Sequence, residues 1–303
     1  MDEIDLRALR IFVTALDEGS FSAGARALGL TQPTVSRTVA ALEAKLGTSL
    51  VGRSTRRFEP TTAGWVLHRE GRAALAQAEA ALILTRRAAH DRGRIVVAVK
   101  ADGDAGLLER ALPSWEQDRA PVGLLFTDPA NLAWAVRTGE ADLCLVAGPV
   151  DLDGLESDVV LVEPRLAILP ADHRLAAAAE IGLDDLVEEP VAAWPGLPAQ
   201  LDRYYAGLRP DDPDRPGRRP EVSDLAEVVR LAELGRAITF LPTSSALRFG
   251  GRRIALVPVH DLEPSELRVA WRASSRDLVL ASFIRHLQDS ANLSDRPEPL
   301  RSA

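Results

Sequence analysis

The period of the hydrophobic pattern changes near residue 93, and this change divides the chain. Residues 1–92 carry apolar side chains at the three- and four-residue spacing of amphipathic helices. From Arg94 onward, short apolar runs such as "RIVVAVK" and "VGLLF" alternate with helical segments, which is typical of βαβαβ units. At 303 residues the chain is long enough for two domains. We therefore expect a helical domain followed by an α/β domain.

The charge is distributed as unevenly as the hydrophobic pattern. The whole chain carries a formal charge of −8, but residues 1–92 hold 13 basic and 10 acidic side chains, a net +3. The remainder holds 23 basic and 34 acidic side chains, a net −11. Between Phe21 and Arg57 there are six basic residues and one acid, Glu43. This local excess of positive charge favours a polyanion as the partner of the first domain.

The stretch "LTQPTVSRTV", residues 30–39, begins a helix that predicts nucleic-acid contact. Thr31 is a suitable N-cap and Gly47 a suitable end. Polar groups crowd the amino-terminal end, and three alanines make the rest of that face thin enough for a groove about 12 Å wide. At 100° per residue, the predicted buried stripe consists of Val35, Val39, Leu42 and Leu46.

The neighbouring segments complete a helix-turn-helix pattern. "SFSAGARALGL" predicts a short helix capped by Ser22, with Gly29 in the turn, and a first helix is predicted at about residues 5–18. The basic segment "LVGRSTRRFEPTTAG" predicts a wing that lays Arg53, Arg56 or Arg57 along phosphates or into a minor groove. The alternative is an ordinary amphipathic helix with a solvated face. It accounts for the helix but not for the turn and the basic wing together.

These residues resemble the LysR-type transcriptional regulators. The motifs "QPTVSR", "LEAKLG", "LVGR" and "TTAG" occur in the order and spacing of that family, with Val51 and Gly52 in place of its usual aromatic and acidic residues. The resemblance implies a winged helix-turn-helix domain at residues 1–61. It also implies that double-stranded operator DNA is faced by Gln32, Pro33, Thr34, Ser36 and Arg37, and that Arg53, Arg56 and Arg57 form the wing contact.

Residues 62–92 predict one long linker helix. The spacing of Leu75, Ala78 and Leu82 is that of a coiled-coil seam, which favours a homodimer. A helix packed on its own chain is the alternative. The resemblance supports pairing of such helices and implies a homotetramer, and RNA polymerase is a further candidate partner.

The α/β part, residues 93–291, is predicted to form two lobes with a ligand cleft at their strand ends. Lobe I is expected at 93–163 and 268–291 and lobe II at 164–267, with lobe II strands at 166–169, 191–194, 237–241 and 254–258. Motifs such as "ADLCLVAGP" and "LAELGRAITFLP" resemble the family's effector domain, which has a periplasmic-binding-protein-like fold. The segment 211–220 is predicted to be a surface loop, and the tail 292–303 to be disordered.

Candidate effector-binding residues lie in the turns after the strands. Lys100 and Asp102 stand where family members usually offer serine or threonine. This pair either binds a polar or zwitterionic ligand or pairs internally and leaves the site apolar. The complete set of expected cleft residues is Lys100, Asp102, Asp104, Thr127, Asp128, Gly148, Trp194, Ser223 and Asp224.

Catalytic and metal-binding motifs are not recognisable in this sequence. There is no G-x-S-x-G, P-loop or H-E-x-x-H, and the five histidines are scattered. We expect no enzyme activity, no cofactor and no metal. The single cysteine, Cys144, is expected in a buried strand, and without a signal peptide or apolar span the expected location is the cytoplasm.

The sequence thus predicts a transcription regulator whose DNA binding or bending responds to a small-molecule effector. The alternative is a cytoplasmic small-molecule-binding or enzymatic α/β protein whose winged module contacts other proteins.

Overall fold

The computed structural model describes residues 5–52, 58–90, 93–117, 119–208, 219–250 and 253–292. The chain forms two compact units, Met1–Ala88 and Ala89–Ala303, here called unit 1 and unit 2. The α-helices of the described residues, in chain order, are α1 Leu6–Asp17, α2 Phe21–Ala27, α3 Gln32–Leu46, α4 Thr62–His90, α5 Leu107–Trp115, α6 Leu132–Arg137, α7 Ala199–Tyr205, α8 Leu225–Glu233, α9 Thr243–Leu247 and α10 Leu278–Asn292. The strands are β1 Ile95–Val99, β2 Val122–Phe126, β3 Leu143–Ala147, β4 Leu155–Glu163, β5 Arg165–Pro170, β6 Thr239–Pro242, β7 Ile254–Pro258 and β8 Ser265–Arg272.

The helices of unit 1 begin and end at residues suited to those positions. The cap of α2 is Ser20 and not Ser22, because Ser20 has an extended backbone and its hydroxyl accepts the Ala23 N–H at 3.1 Å. Helix α3 ends at Gly47, which has a left-handed backbone with φ of 66°. Helix α4 begins after Thr61, whose hydroxyl accepts the Gly64 N–H at 3.0 Å.

The core of unit 1 joins α1 to α3 and α4. Val35, Val39 and Leu42 of α3 are buried as expected, whereas Leu46 is 40% exposed, because it is the last residue of the helix and extends past the core. The largest cluster of this core contains Leu9, Phe12, Val13, Val39, Leu42, Leu50 and Leu75.

The segment between α3 and α4 contains a short antiparallel backbone pairing. Val51 pairs with Pro60, and the Gly52 N–H donates to the Glu59 carbonyl at 2.7 Å. The Glu43 carboxylate of α3 accepts the Leu50 N–H at 2.7 Å and so holds this segment against the helix. The predicted wing arginines, Arg53, Arg56 and Arg57, lie outside the described residues.

Lobe I of unit 2 is built on a five-stranded sheet in the order β2-β1-β3-β8-β4. Strands β1, β2 and β3 run parallel, and β8 runs antiparallel to both β3 and β4. Helices α5 and α10 pack on this sheet with Trp115, Phe283 and Leu287 fully buried between them. Through its pairing with β3, strand β8 belongs to the sheet of lobe I.

Strand β4 and the start of β8 differ from the sequence expectation. The segment "LESDVVLVE" of β4 alternates polar and apolar residues, and only its pairing with β8 makes it a strand. Strand β8 begins at Ser265, where it pairs with Glu163. The expected lobe boundary at residues 267/268 is therefore three residues too late.

Lobe II is smaller and has a three-stranded antiparallel sheet in the order β6-β5-β7. The predicted strand at 191–194 is wrong, because Val191 and Ala193 each make only an isolated β-bridge and no continuous ladder forms there. The chain crosses between the lobes twice, at Pro164 and just before Ser265. Most of the predicted loop, residues 211–218, and the tail from residue 293 lie outside the described residues.

Candidate DNA-binding surface and effector cleft

The amino-terminal half of α3 presents a polar surface. Gln32, Pro33 and Arg37 are exposed, and Thr34 and Ser36 are half-buried. Burial of Val35 and Val39 on the opposite side determines which face remains open. A helix held in this way by its apolar stripe can lie in a major groove with its polar end against base edges.

Local hydrogen bonds order part of this surface. The Arg37 Nε donates to the Pro33 carbonyl at 3.2 Å, and the Thr31 and Thr34 hydroxyls lie 2.9 Å apart. The Pro33 carbonyl oxygen has two lone pairs, so it can accept from the Arg37 side chain as well as from a backbone N–H one turn later. The Arg37 guanidinium is thus oriented along α3 while its remaining N–H groups can bind phosphate or guanine.

A shallow groove runs beside these residues. Thr34, Arg37, Ala41 and Lys45 line it from α3, at a spacing that places them on one side of the helix. Asp5 and Ala8 line it from the start of α1. The small Ala41 keeps the groove open between two cations.

One of the three residues of α4 predicted to contact a second chain, Leu75, is buried within its own chain. Leu75 is 6% exposed and packs against Leu9 and Val13 of α1, so it belongs to the core of its own chain. A Cβ added at Gly71, one turn earlier, would lie 2.9 Å from Leu9 Cδ1. Ala78 is half-buried, but Leu82 is 62% exposed. The first half of α4 packs on α1, as the alternative reading of this helix held, and Leu82 alone of the three expected contacts is freely available.

The cleft between the lobes of unit 2 is nearly closed. Its volume is about 40 Å³, and its lining includes Lys100, Glu163, Tyr205, Ser244 and Ser245. A water molecule needs roughly 10–15 Å³ by this measure, so the cleft in this arrangement admits only water-sized groups.

Contacts across the mouth hold the cleft closed. The Asp102 carboxylate of lobe I pairs with the Arg248 guanidinium of lobe II, and the Ser245 hydroxyl donates to the Asp102 carbonyl at 3.5 Å. Asp102 has a left-handed backbone with φ of 60°, which is uncommon for a residue other than glycine. Asp102 therefore pairs across the cleft, and the internal pairing with Lys100, one of the two alternatives for these residues, is not formed.

Lys100 remains available to a ligand. Its Nζ lies 5.6 Å from the centre of the Tyr205 ring, and burial lowers the pKa of its amine. Burial likewise raises the pKa of Tyr205, so its hydroxyl remains a donor over the physiological range.

Several expected effector residues have structural roles instead. Asp104 accepts the Leu108 N–H of α5 at 3.0 Å, and Asp224 accepts the Glu227 N–H of α8 at 2.8 Å. Ser223 is bonded to the Glu227 carboxylate through its hydroxyl, at 2.9 Å. Polar residues after strands are needed to cap the helices that follow, so position in a turn does not distinguish a cap from a ligand contact.

The other expected residues lie beside the cleft or away from it. Trp194 is 6% exposed and packs on Tyr205 in the lobe II core. Thr127 is half-buried and Asp128 exposed, and the cleft is lined instead by Pro129 and Leu132 from the next turn. Gly148 lines a different cavity.

The sequence reasoning missed Tyr205, Glu163, Ser244 and Ser245. The last three are linked, because the Ser244 hydroxyl donates to Glu163 at 2.7 Å and Ser245 follows in the same turn of α9. The dipeptide Ser244–Ser245 lies just after Pro242, the last residue of β6, and this proline indicates a turn at that point of the sequence. Tyr205 is at the end of a helix, where strand-end reasoning does not apply.

Metal binding and membrane insertion find no support in the described residues. No three His, Cys, Asp or Glu side chains among them converge to hold a metal ion. Within the same ranges, every helix is too short or too polar to cross a membrane.

The fold and the two surfaces together define a class: helix-turn-helix transcription regulators with a two-lobed ligand-binding domain. Residues 6–65 match the family of the bacterial regulatory helix-turn-helix protein, lysR family, and residues 88–292 match the LysR substrate binding domain. The chain therefore belongs to the LysR family and is a DNA-binding transcriptional regulator. The predicted fold class, family and general function are confirmed.

Individual relatives are similar to this chain over nearly its full length. The chain is 25% identical to the HTH-type transcriptional regulator AlsR of Bacillus subtilis (strain 168), covering 93% of this chain and 94% of that protein. It is 25% identical to the Hca operon transcriptional activator HcaR of Escherichia coli (strain K12), covering 94% and 98%. Full-length BenM has a similar fold, with a TM-score of 0.57 at 21% identity over 98% of this chain and all of that one. Full-length CbnR, solved with its target DNA, has a TM-score of 0.52 at 23% identity over 95% and 100%.

Proposed function

We propose that α3 reads an operator through Gln32, Thr34, Ser36 and Arg37, with Pro33 fixing the start of the helix. The observation that carries the proposal is the one-sided burial of α3, which leaves its polar amino-terminal end exposed. Arg53, Arg56 and Arg57 are assigned phosphate or minor-groove contacts from the sequence alone. The location follows from the function, since a regulator must reach the chromosome, and we place the protein in the bacterial cytoplasm.

The test compares Arg37→Ala with Arg86→Ala. Both variants remove one positive charge, but Arg86 lies 24 residues along α4 from its start, or about 36 Å. Binding to the DNA upstream of the protein's own gene and to a shuffled duplex is measured by fluorescence anisotropy across a salt series. If Arg37 contacts a base, Arg37→Ala costs about 1–3 kcal/mol on the operator and reduces its preference over shuffled DNA.

Two other outcomes are distinguishable. An equal loss on both duplexes with a shallower salt dependence would make Arg37 a phosphate contact. Equal affinities for the Arg37→Ala and Arg86→Ala proteins would remove α3 from the interface altogether.

The effector cleft is proposed to work by opening. A cleft of about 40 Å³ cannot hold a metabolite, so a ligand must separate Asp102 from Arg248. Lys100, Tyr205 and Ser245 then offer one amine and two hydroxyls to a polar ligand. An effector shifts the balance between closed and open arrangements only by its differential affinity for them. The regulator's ligand is thus expected to bind more tightly to Arg248→Gln than to the unmodified protein.

We also propose a homodimer, paired through the exposed part of α4 around Leu82, and higher assembly to a tetramer. The two α3 helices of such a dimer would contact two DNA half-sites separated by one or more turns of the double helix. The domain limits that follow are 1–61 for DNA binding, 62–92 for the linker and 93–291 for the effector domain, with lobe II at 164–264. We also propose that the protein contacts RNA polymerase and catalyses no reaction. The family relationship supports both points, since the named relatives are transcriptional regulators.

A further inference from the structure

A second cavity, of about 950 Å³, lies in unit 2 on the opposite face of the β3–β8 pair from the effector cleft. Val146 of β3 lines this cavity, whereas its neighbours Leu145 and Ala147 line the cleft. In the same way Arg268 of β8 faces the cavity and Leu267 faces the cleft. Successive side chains of a strand point to opposite faces, so the two spaces are separated by the sheet.

Arg165 is a charged group in the wall of this cavity without a matching anion. It is only 3% exposed, and its Nε is buried and has no hydrogen-bond partner. Its guanidinium stacks on the Tyr204 ring, 3.6 Å from the ring centre, and donates through Nη2 to the Tyr204 carbonyl. Burial lowers the pKa of Arg165, opposed by Tyr204, Tyr205 and Glu263. A buried guanidinium with one unmade hydrogen bond is costly unless an anion satisfies it.

The acidic groups around this cavity do not neutralise Arg165. Glu266 is paired with Arg268 at 2.6 Å, and the Asp261 carboxylate accepts the Leu183 N–H at 2.9 Å. Glu263 is exposed and acts on Arg165 only through space. Arg165 thus lines the cavity without a directly paired carboxylate. The wall holds three arginines, Arg165, Arg203 and Arg268, against the three carboxylates, so it has no net positive charge to favour a ligand with two negative charges.

The remainder of the wall is largely apolar. Val150, Leu152 and Leu262 line it together with Pro149 and Pro264. A volume of this size suits a small organic ligand, and apolar lining with few convergent polar groups is typical of such sites.

We propose that this cavity binds a small monocarboxylate with an apolar body, its carboxylate facing the Arg165 guanidinium and its body against Val150 and Leu152. Tyr204 forms the adjoining wall, and burial raises the pKa of its hydroxyl, which therefore stays protonated and adds no negative charge to the site. The site is separate from the cleft and does not depend on DNA binding.

The probe is radiolabelled hexanoate, with hexanamide as its neutral counterpart of nearly equal shape. Equilibrium dialysis on the full chain at millimolar hexanoate is expected to show one saturable site per chain, and competition by hexanamide is expected to be at least tenfold weaker. Arg165→Gln is expected to weaken hexanoate binding by tenfold or more, since a charge-assisted hydrogen bond is lost.

Two further variants localise the site and cover the case in which Arg165→Gln fails to fold. Gln200 is exposed on α7 at the cavity wall, so Gln200→Trp narrows the space without disturbing the core and is expected to weaken hexanoate binding by about fivefold or more. Ser245→Trp obstructs the mouth of the effector cleft and is expected to leave hexanoate binding within twofold.

The proposal is overturned by three results. Binding lost in Ser245→Trp but kept in Gln200→Trp would place hexanoate in the cleft. Equal competition by hexanamide would remove the role of the charge. Absence of saturable binding by the unmodified protein would show that the cavity does not take this class of ligand.

Discussion

Replacing Leu82 by alanine tests whether α4 joins two chains. Leu82 is 62% exposed in the single chain. Complete burial of a leucine side chain contributes about 1.5–3 kcal/mol, so covering the exposed part contributes about 1–2 kcal/mol per chain. A symmetric dimer buries two copies, which gives about 2–4 kcal/mol. The dimer dissociation constant should therefore rise by about 30- to 700-fold.

Sedimentation equilibrium of the full chain over a dilution series measures this change. Leu247 on α9 is also 62% exposed, so Leu247→Ala removes the same group with the same exposure and is the matched control. Leu75→Ala provides the opposite case. Its side chain fills the core of unit 1, so it should lower the free energy of unfolding by about 2–5 kcal/mol and leave the dissociation constant of the folded dimer nearly unchanged.

The reasoning is refuted by a reversal of this pattern. If Leu82→Ala changes dissociation by less than threefold while Leu75→Ala weakens the dimer strongly, the first half of α4 forms the interface. The contact of Leu75 with α1 would then have to open on association.

Three other outcomes follow from local geometry. Gly64→Ala would place a Cβ 2.1 Å from the Leu50 carbonyl oxygen, so unfolding in urea should show a loss of at least about 1–3 kcal/mol, whereas Ala63→Gly should lose no more than about 1 kcal/mol. Burial raises the pKa of the Cys144 thiol to about 12, so the native protein should not react with a thiol reagent until denaturant unfolds it. Rapid labelling of Cys144 in the native protein would contradict its burial. Burial lowers the pKa of the Lys100 amine, so the unfolded chain binds its proton more tightly than the folded chain, and the free energy of unfolding rises with pH between the folded and the unfolded pKa. Lys100→Met should therefore stabilise the fold at about pH 7 and do so less at about pH 10. A stabilisation that grows with pH would refute this.

The periodic elements of this fold could be predicted from the sequence because their burial is local in origin. The stripe of Val35, Val39 and Leu42 and the glycine at position 47 predict both the extent of α3 and its exposed face. The same reasoning predicts β2 to the residue, since the apolar run "VGLLF" is bounded by turn residues. Strand β4 has no such boundary, and its existence depends on the distant β8.

The cleft could be predicted only in outline. Strand-end reasoning finds the turn that holds Lys100, but it cannot separate a ligand contact from a helix cap, and Asp104 and Asp224 are caps. The partner of Asp102 is 146 residues away, so no local pattern indicates Arg248. Residue types in a turn are set by the helix that follows, whereas a ligand site is set by which turns meet.

Tyr204 and Tyr205 show how adjacent residues can serve two different sites. They end α7 with their rings 5.3 Å apart and nearly perpendicular, and Tyr204 faces the second cavity while Tyr205 faces the cleft. Arg165 stacks on the first ring and the Lys100 amine lies over the second. Any movement of α7 that opens the cleft must therefore also move the wall of the second cavity. If a ligand in one space changes the affinity of the other space, the reverse effect has the same factor, because coupling between binding sites is reciprocal.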